Sequence, residues 1–208
     1  MHRVGKQHQL QAVLAMRSYP CFSRSAGFTL IELMTTIAIA AVLMMIAAPS
    51  FVSFQRNSEL TSLTNTLLAA INATRGAAMK EGTFAMAVPK DGSDWNSGWV
   101  VFVDKDLDQS FDAAKDEVIL QQSAPSSYIT ISGSGTATGA SPYILYNASG
   151  YSRQKNGGFG ALTLSIVRND VASAQAADQT RRIVVASSGR TRSCRPSTDT
   201  TCTASATE

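Results

Sequence analysis

Beyond residue 8 the sequence contains no histidine. His2 and His8 stand at the start, so the side chain best suited to moving protons near neutral pH is missing from the body of the chain. Serines are plentiful, but none sits in a Gly-x-Ser-x-Gly elbow, and no nucleotide-binding loop appears. No catalytic constellation is legible and no cofactor is implied, so the chain reads as a non-enzyme. Cysteine is nearly absent too, with only Cys21, Cys194 and Cys202. The last two enclose Ser, Thr, Pro and Asp with no histidine nearby, which makes a poor metal site. A Cys194–Cys202 disulfide is the better reading, and it requires an oxidising compartment such as the periplasm.

Charge is missing from another stretch. Leu33 to Phe54 carries no charged residue, long enough at ~1.5 Å per residue to cross a hydrocarbon layer of ~30 Å. The overall charge of +3, from 18 bases and 15 acids, misleads if read as one number. Arg3, Lys6, Arg17 and Arg24 precede Gly27 with no acid among them. Without those four, 14 bases face 15 acids, a balance of −1. Nucleic-acid binding must then rest on a local patch. The early bases keep the start of the apolar run cytoplasmic and send the rest outward.

Three readings of the run compete. A secretory signal peptide would be cut near Ala47, Ala48 and Pro49. A plain signal anchor would not be cut. The third turns on Glu32, a carboxylate just inside an apolar span, where such groups are usually paired and functional. The string Gly27-Phe28-Thr29-Leu30-Ile31-Glu32-Leu33 closely resembles the type III signal of type IV pilins and pseudopilins. Counted from Phe28, Glu32 is the fifth residue and Pro49 the twenty-second, where that family has its Glu and Pro. The resemblance implies a leader of residues 1–27, removed after Gly27 by a prepilin peptidase, and methylation of Phe28. It also implies that Glu32 pairs with the terminal amine of a neighbouring pilin during assembly. Read from the residues alone, Glu32 could instead snorkel to the membrane surface.

Beyond the membrane segment, 28–54, the pattern turns amphipathic. Leu60, Leu63, Leu67 and Ile71 fall at helical spacing with Leu68 beside them, predicting a packed helix over 55–80. Pro49 is expected to favour a kink, and Gly76, Ala77 and Ala78 to allow close approach. Residues 81–208 read as a periplasmic β domain with strands at Thr83–Val88, Gly98–Val103, Glu117–Gln121, Tyr128–Ile131, Tyr143–Tyr146, Ala161–Val167 and Arg182–Ala186. Ser132 to Ser141 reads as a mobile loop, and local spacing favours a meander-like sheet. The expected fold class is α+β and pilin-like: a long N-terminal helix, half transmembrane and half amphipathic, packed on an antiparallel β domain. Trp99-Val100-Val101-Phe102-Val103-Asp104 after Gly98, with the Ser188-Gly189-Arg190 turn, resembles the pilin group containing GspH and FimT. Trp99 and Phe102 read as core.

Two charged stretches complete the reading. Asp104, Asp106, Asp108 and Asp112 suggest a calcium loop, but Gln109 and Lys115 occupy the positions where an EF-hand needs Gly and Glu. A solvated acidic turn is the preferred reading, with a looser calcium site left open. From Arg181 to Arg195 five arginines occur without an acid. Gly189-Arg190-x-Arg192 looks like the tail of FimT-like minor pilins, which implies DNA capture during natural transformation. Gly189, Arg190, Arg192 and Arg195 are the expected DNA-binding residues, with phosphate-led, non-specific contact. At most one of Arg181 and Arg182 should join them. The rival readings are a structural or priming minor pilin without DNA contact, and a GspH-like pseudopilin of type II secretion. The implied partners are other pilins, the prepilin peptidase, DNA and the bacterial inner membrane.

Overall fold

The computed structural model describes residues 27–205. The expectations for His2, His8, Cys21 and the early bases lie outside the described residues. Helix α1 spans Leu30–Glu81 and continues through position 49. The chain divides into two compact units, Met1–Ala47 and Ala48–Glu208. In the first, Leu30, Ile31, Leu33, Met34, Ile37, Val42 and Met45 each expose more than half of their surface. The helix is long and apolar enough to cross a membrane.

In the second unit the rest of α1 packs against two antiparallel sheets. The strands are β1 (Phe84–Pro89), β2 (Gly98–Asp104), β3 (Glu117–Ser123), β4 (Ile129–Gly135), β5 (Ile144–Tyr146), β6 (Leu162–Arg168), β7 (Thr180–Val185) and β8 (Thr191–Cys194). One sheet runs β3-β2-β1-β5 and the other β4-β6-β7-β8. A single meander is therefore corrected: β5 skips back to pair with β1, while β4 leaves to begin the second sheet. The seven expected strands each begin within two residues of the expected start, and β8 is an addition.

The apolar stripe of α1 behaves as its spacing requires. Leu60, Leu67 and Ile71 are fully buried, and Leu63 and Leu68 pack partly against the same core. Thr64 and Thr74 share that buried face because each hydroxyl donates to the carbonyl one turn back, at 2.7 and 2.8 Å, so no polar group is stranded. Facing them are Ala85, Ala87, Trp99 and Val101 of the first sheet and Leu162, Leu164, Ile183 and Val185 of the second. Met86, Phe102 and Leu145 form a smaller core on the opposite face of the first sheet, as strand alternation dictates. Trp99 and Phe102 are thus core residues.

Three local expectations are revised. A Cβ on Gly76 would meet nothing within 4 Å, so close approach at this end of the helix belongs to buried Ala78. Ser132–Gly135 extends β4, and Ala137 beyond it is buried and accepts a hydrogen bond from Trp95 Nε1 at 3.0 Å, so the segment is packed rather than a free loop. The acidic turn is not uniformly solvated: Asp106 and Asp108 are exposed, but Asp104, closing β2, is fully buried.

Candidate assembly helix and arginine hairpin

Gly27, Phe28 and Thr29 precede the first helical turn. Glu32 Oε2 accepts from the backbone N–H of Thr29 at 2.9 Å and from its hydroxyl at 3.0 Å. The Glu32 N–H donates back to Thr29 Oγ1 at 3.2 Å. This reciprocal arrangement is a capping box, satisfying amide donors that a helix start leaves open. Thr29 is the participant that the sequence reading missed, although the Thr-x-x-Glu spacing before an apolar run is itself the signal for it. Both side-chain contacts use Oε2, and the residue is exposed. The cap thus fixes the carboxylate at the helix start.

At the other end of the chain, β7 and β8 form a hairpin. Its turn closes through Gly189 N–H to Ala186 O at 2.8 Å and Ala186 N–H to Arg190 O at 2.9 Å. Gly189 has a φ of 81°, and a Cβ there would lie 1.9 Å from the Gly150 carbonyl oxygen. Only glycine fits. That same carbonyl accepts from Arg75 Nε of α1 at 3.0 Å, so the turn rests on a loop held by the helix. Thr191 on β8 adds a second tie, its hydroxyl donating to Asn72 Oδ1 at 2.8 Å.

The arginines do not converge. Arg181 is buried and donates to the carbonyls of Asp178 and Thr180 at 2.8 and 2.9 Å. Burial, then the like charge of Arg195, lowers its pKa below the usual arginine range. Arg182 points to the opposite face and donates to Ser165 Oγ at 3.2 Å and to the Cys202 carbonyl. Arg190 is exposed at the turn, and Arg192 follows on the same side of the extended hairpin. Arg195 lines a groove with Arg181, Ser193 and the helical Thr61, Thr64 and Asn65, which is the other face.

Cys194 and Cys202 are joined as expected, with Cα atoms 5.8 Å apart. The loop they close brings Asp199, four residues beyond the arginine stretch, back against it. Asp199 Oδ2 lies 3.3 Å from Arg192 Nη1, and Arg192 Nη2 donates to Thr201 O at 3.2 Å. Hydrogen bonds from Thr201, reinforced by Arg192, hold the Asp199 carboxyl below its ordinary range. Arg192 is therefore partly neutralised within the fold.

The family model for the type II transport protein GspH matches residues 63–189. The chain belongs to the GspH family. A second model, the prokaryotic N-terminal methylation motif, matches residues 22–48 and so covers Gly27, Phe28 and Glu32. Among solved structures, the type IV minor pilin FimU of Pseudomonas aeruginosa matches in two crystal forms. One gives 18% identity and a TM-score of 0.52, covering 69% of this chain and 94% of that one. The other gives 16% and 0.50, covering 66% and 94%. At these identities the likeness shows a shared fold. Comparison with curated protein sequences gave no match. This GspH-family chain thus joins an N-terminal methylation motif on an apolar helix to a two-sheet β domain of the fold seen in FimU, with a disulfide near its C-terminal end.

Proposed function

We propose that this chain is a minor subunit of a type IV pilus-like filament, held in the bacterial inner membrane before assembly with its β domain in the periplasm. A prepilin peptidase removes residues 1–27, Phe28 is methylated, and the apolar half of α1 packs among the helices of neighbouring pilins. The observation that carries this reading is the unburied apolar surface of Leu30 to Ile46 beside a carboxylate held at the helix start. Glu32 then pairs with the Phe28 amine of the adjoining subunit, so that two charges costly in lipid are neutralised only on assembly. Glu32→Ala leaves cleavage intact and removes the protein from sheared filaments, as read by immunoblot. Glu32→Ala protein recovered in filaments at parental levels would refute the pairing and leave a capping role alone.

A second reading, DNA contact during natural transformation, is supported by Arg190 exposed at the hairpin turn with Arg192 on the same side. Because Arg192 is shared with Asp199 and Arg195 lies on the other face, two phosphates at most are engaged. The salt dependence for duplex should have a log–log slope on the order of −2, at ~0.9 per phosphate. Replacing Arg190 and Arg192 with Gln should flatten that slope and lower transformation while filaments still form. Salt-insensitive binding, or none, would leave the structural minor-pilin reading standing by itself.

A further inference from the structure

We propose that the β2–β3 connection is a calcium site built on Asp104, Asp106 and Asp108. One carboxylate oxygen from each of the three lies within 4.8 Å of the others. Oxygens no farther apart than that can share one calcium ion, whose metal–oxygen distances are about 2.4 Å. Clustered acids on a surface turn carry little meaning by themselves. Here one member is different.

Asp104 is fully buried, and its Oδ1 has no hydrogen-bond donor. Its Oδ2 accepts from the Gln109 amide at 3.0 Å, and the Leu107 amide also acts on the carboxylate. A buried carboxylate oxygen without a partner is costly, and the site has one obvious remedy, a cation bound from the side where Asp106 and Asp108 reach solvent. Burial raises the Asp104 pKa above the usual carboxylate range, and the nearby charges of Asp116 and Asp108 push the same way. The amides of Gln109 and Leu107 oppose this only in part. A divalent ion would reverse that balance.

The surrounding side chains do not already serve. Lys115 Nζ approaches Asp106 Oδ2 at 3.1 Å and Asp112 at 3.7 Å from a half-exposed position, where an ion pair is weak and readily displaced. Among the described residues no basic side chain lies within ion-pair distance of Asp104 or Asp108, although Lys115 acts on Asp108 from farther off. Asp116 acts differently, as a clasp: its carboxylate accepts from the Lys105 and Asp112 amides at 3.2 and 2.8 Å and closes the base of the turn. Three carboxylates leave several of calcium's six to eight positions to backbone carbonyls and water, the composition of a weak extracytoplasmic site with Kd of ~10⁻⁴–10⁻³ M. The missing EF-hand Gly and Glu exclude that motif and not a looser cage.

The test uses the full chain in detergent, stripped with chelator and then titrated with calcium chloride or magnesium chloride. The melting temperature should rise by several degrees and saturate in the millimolar range with calcium, with saturable heat by titration calorimetry. Magnesium should do much less, because it demands a tighter octahedral shell. Asp108→Asn, at an exposed position, should melt like the parent without calcium and weaken the calcium response at least tenfold. Asp104→Asn should melt higher than the parent in chelator, since it removes a buried charge, and should lose the response. Lys115→Gln should strengthen it. No saturable calcium response, an equal response to magnesium, or an Asp108→Asn protein that responds like the parent would overturn the proposal.

Discussion

Asp170→Asn tests how the domain-facing half of α1 is locked to the second sheet. Arg168 closes β6 with its side chain only 3% exposed and grips Asp170 through two parallel bonds, Nε to Oδ1 at 2.9 Å and Nη2 to Oδ2 at 2.8 Å. Its third nitrogen donates to the Ser53 carbonyl of α1 at 3.2 Å. Arg56, also on α1, reaches Asp170 Oδ2 at 2.6 Å while its guanidinium lies 4.7 Å from the Tyr128 ring centroid. The substitution keeps the shape and removes the charge, leaving Arg168 buried without its counter-ion. Breaking such a pair from one side costs about 3–5 kcal/mol. Asp170 is 18% exposed, so the lower end, about 3 kcal/mol, applies. For a domain of this size that corresponds to a melting temperature lower by roughly 6–12 °C. Arg56→Gln, removing a partner that is 39% exposed, should cost only about 1 kcal/mol.

The pH dependence follows from the direction of the shift. Hydrogen bonds from Arg168, then Arg56, hold the folded Asp170 carboxyl far below its ordinary range. In the unfolded chain it titrates near ~3.9, so the unfolded state binds more protons in between and stability rises with pH there. The contribution is complete above about pH 4–5 and fades as pH falls toward the folded value. Thermal melts of the full chain in detergent at pH 7 and pH 3, followed by circular dichroism, should show a wide gap between parent and Asp170→Asn that narrows in acid. A variant within about 2 °C of the parent at pH 7, or a gap that ignores pH, would refute this account of the joint.

Other outcomes are equally direct. Cys194→Ser with Cys202→Ser should lower stability by about 2–3 kcal/mol, the loop-entropy value for so short a ring, and release Asp199 from Arg192; parental melting under oxidising conditions would show that the bridge does not form. Gly189→Ala should disturb the hairpin, since both its positive φ and the Gly150 carbonyl forbid a Cβ, and a chemical-shift map should place the change at residues 147–152 and 186–191. Parental spectra there would contradict the packing described for this turn.

How far the sequence could be read depended on how local the signal was. Runs such as Val100-Val101-Phe102-Val103 and Leu162-Thr163-Leu164 declare strands through apolar and β-branched residues. β8 does not, because Thr191-Arg192-Ser193-Cys194 has almost no apolar content and becomes a strand only by pairing with β7. The division into two sheets was equally hidden, since placing Ile144–Tyr146 beside β1 is a long-range choice that no local pattern encodes. At the helix start, the motif of Gly27, Phe28 and Glu32 stood out through the family resemblance, whereas the part of Thr29 emerges only from the capping geometry. In the arginine stretch, charge was visible but direction was not. Burial of Arg181 and the return of Asp199 through the disulfide loop both arise from tertiary folding.

The central claim is that this chain is processed and assembled as a pilin, and the mass of its mature N-terminus tests it most directly. Intact-mass and N-terminal peptide spectrometry of protein purified from native membranes should find a chain that starts at Phe28 and carries one methyl group on its amine. A chain starting near Pro49, as a secretory signal peptidase would leave it, or one that retains residues 1–27 in cells with active prepilin peptidase, would contradict it.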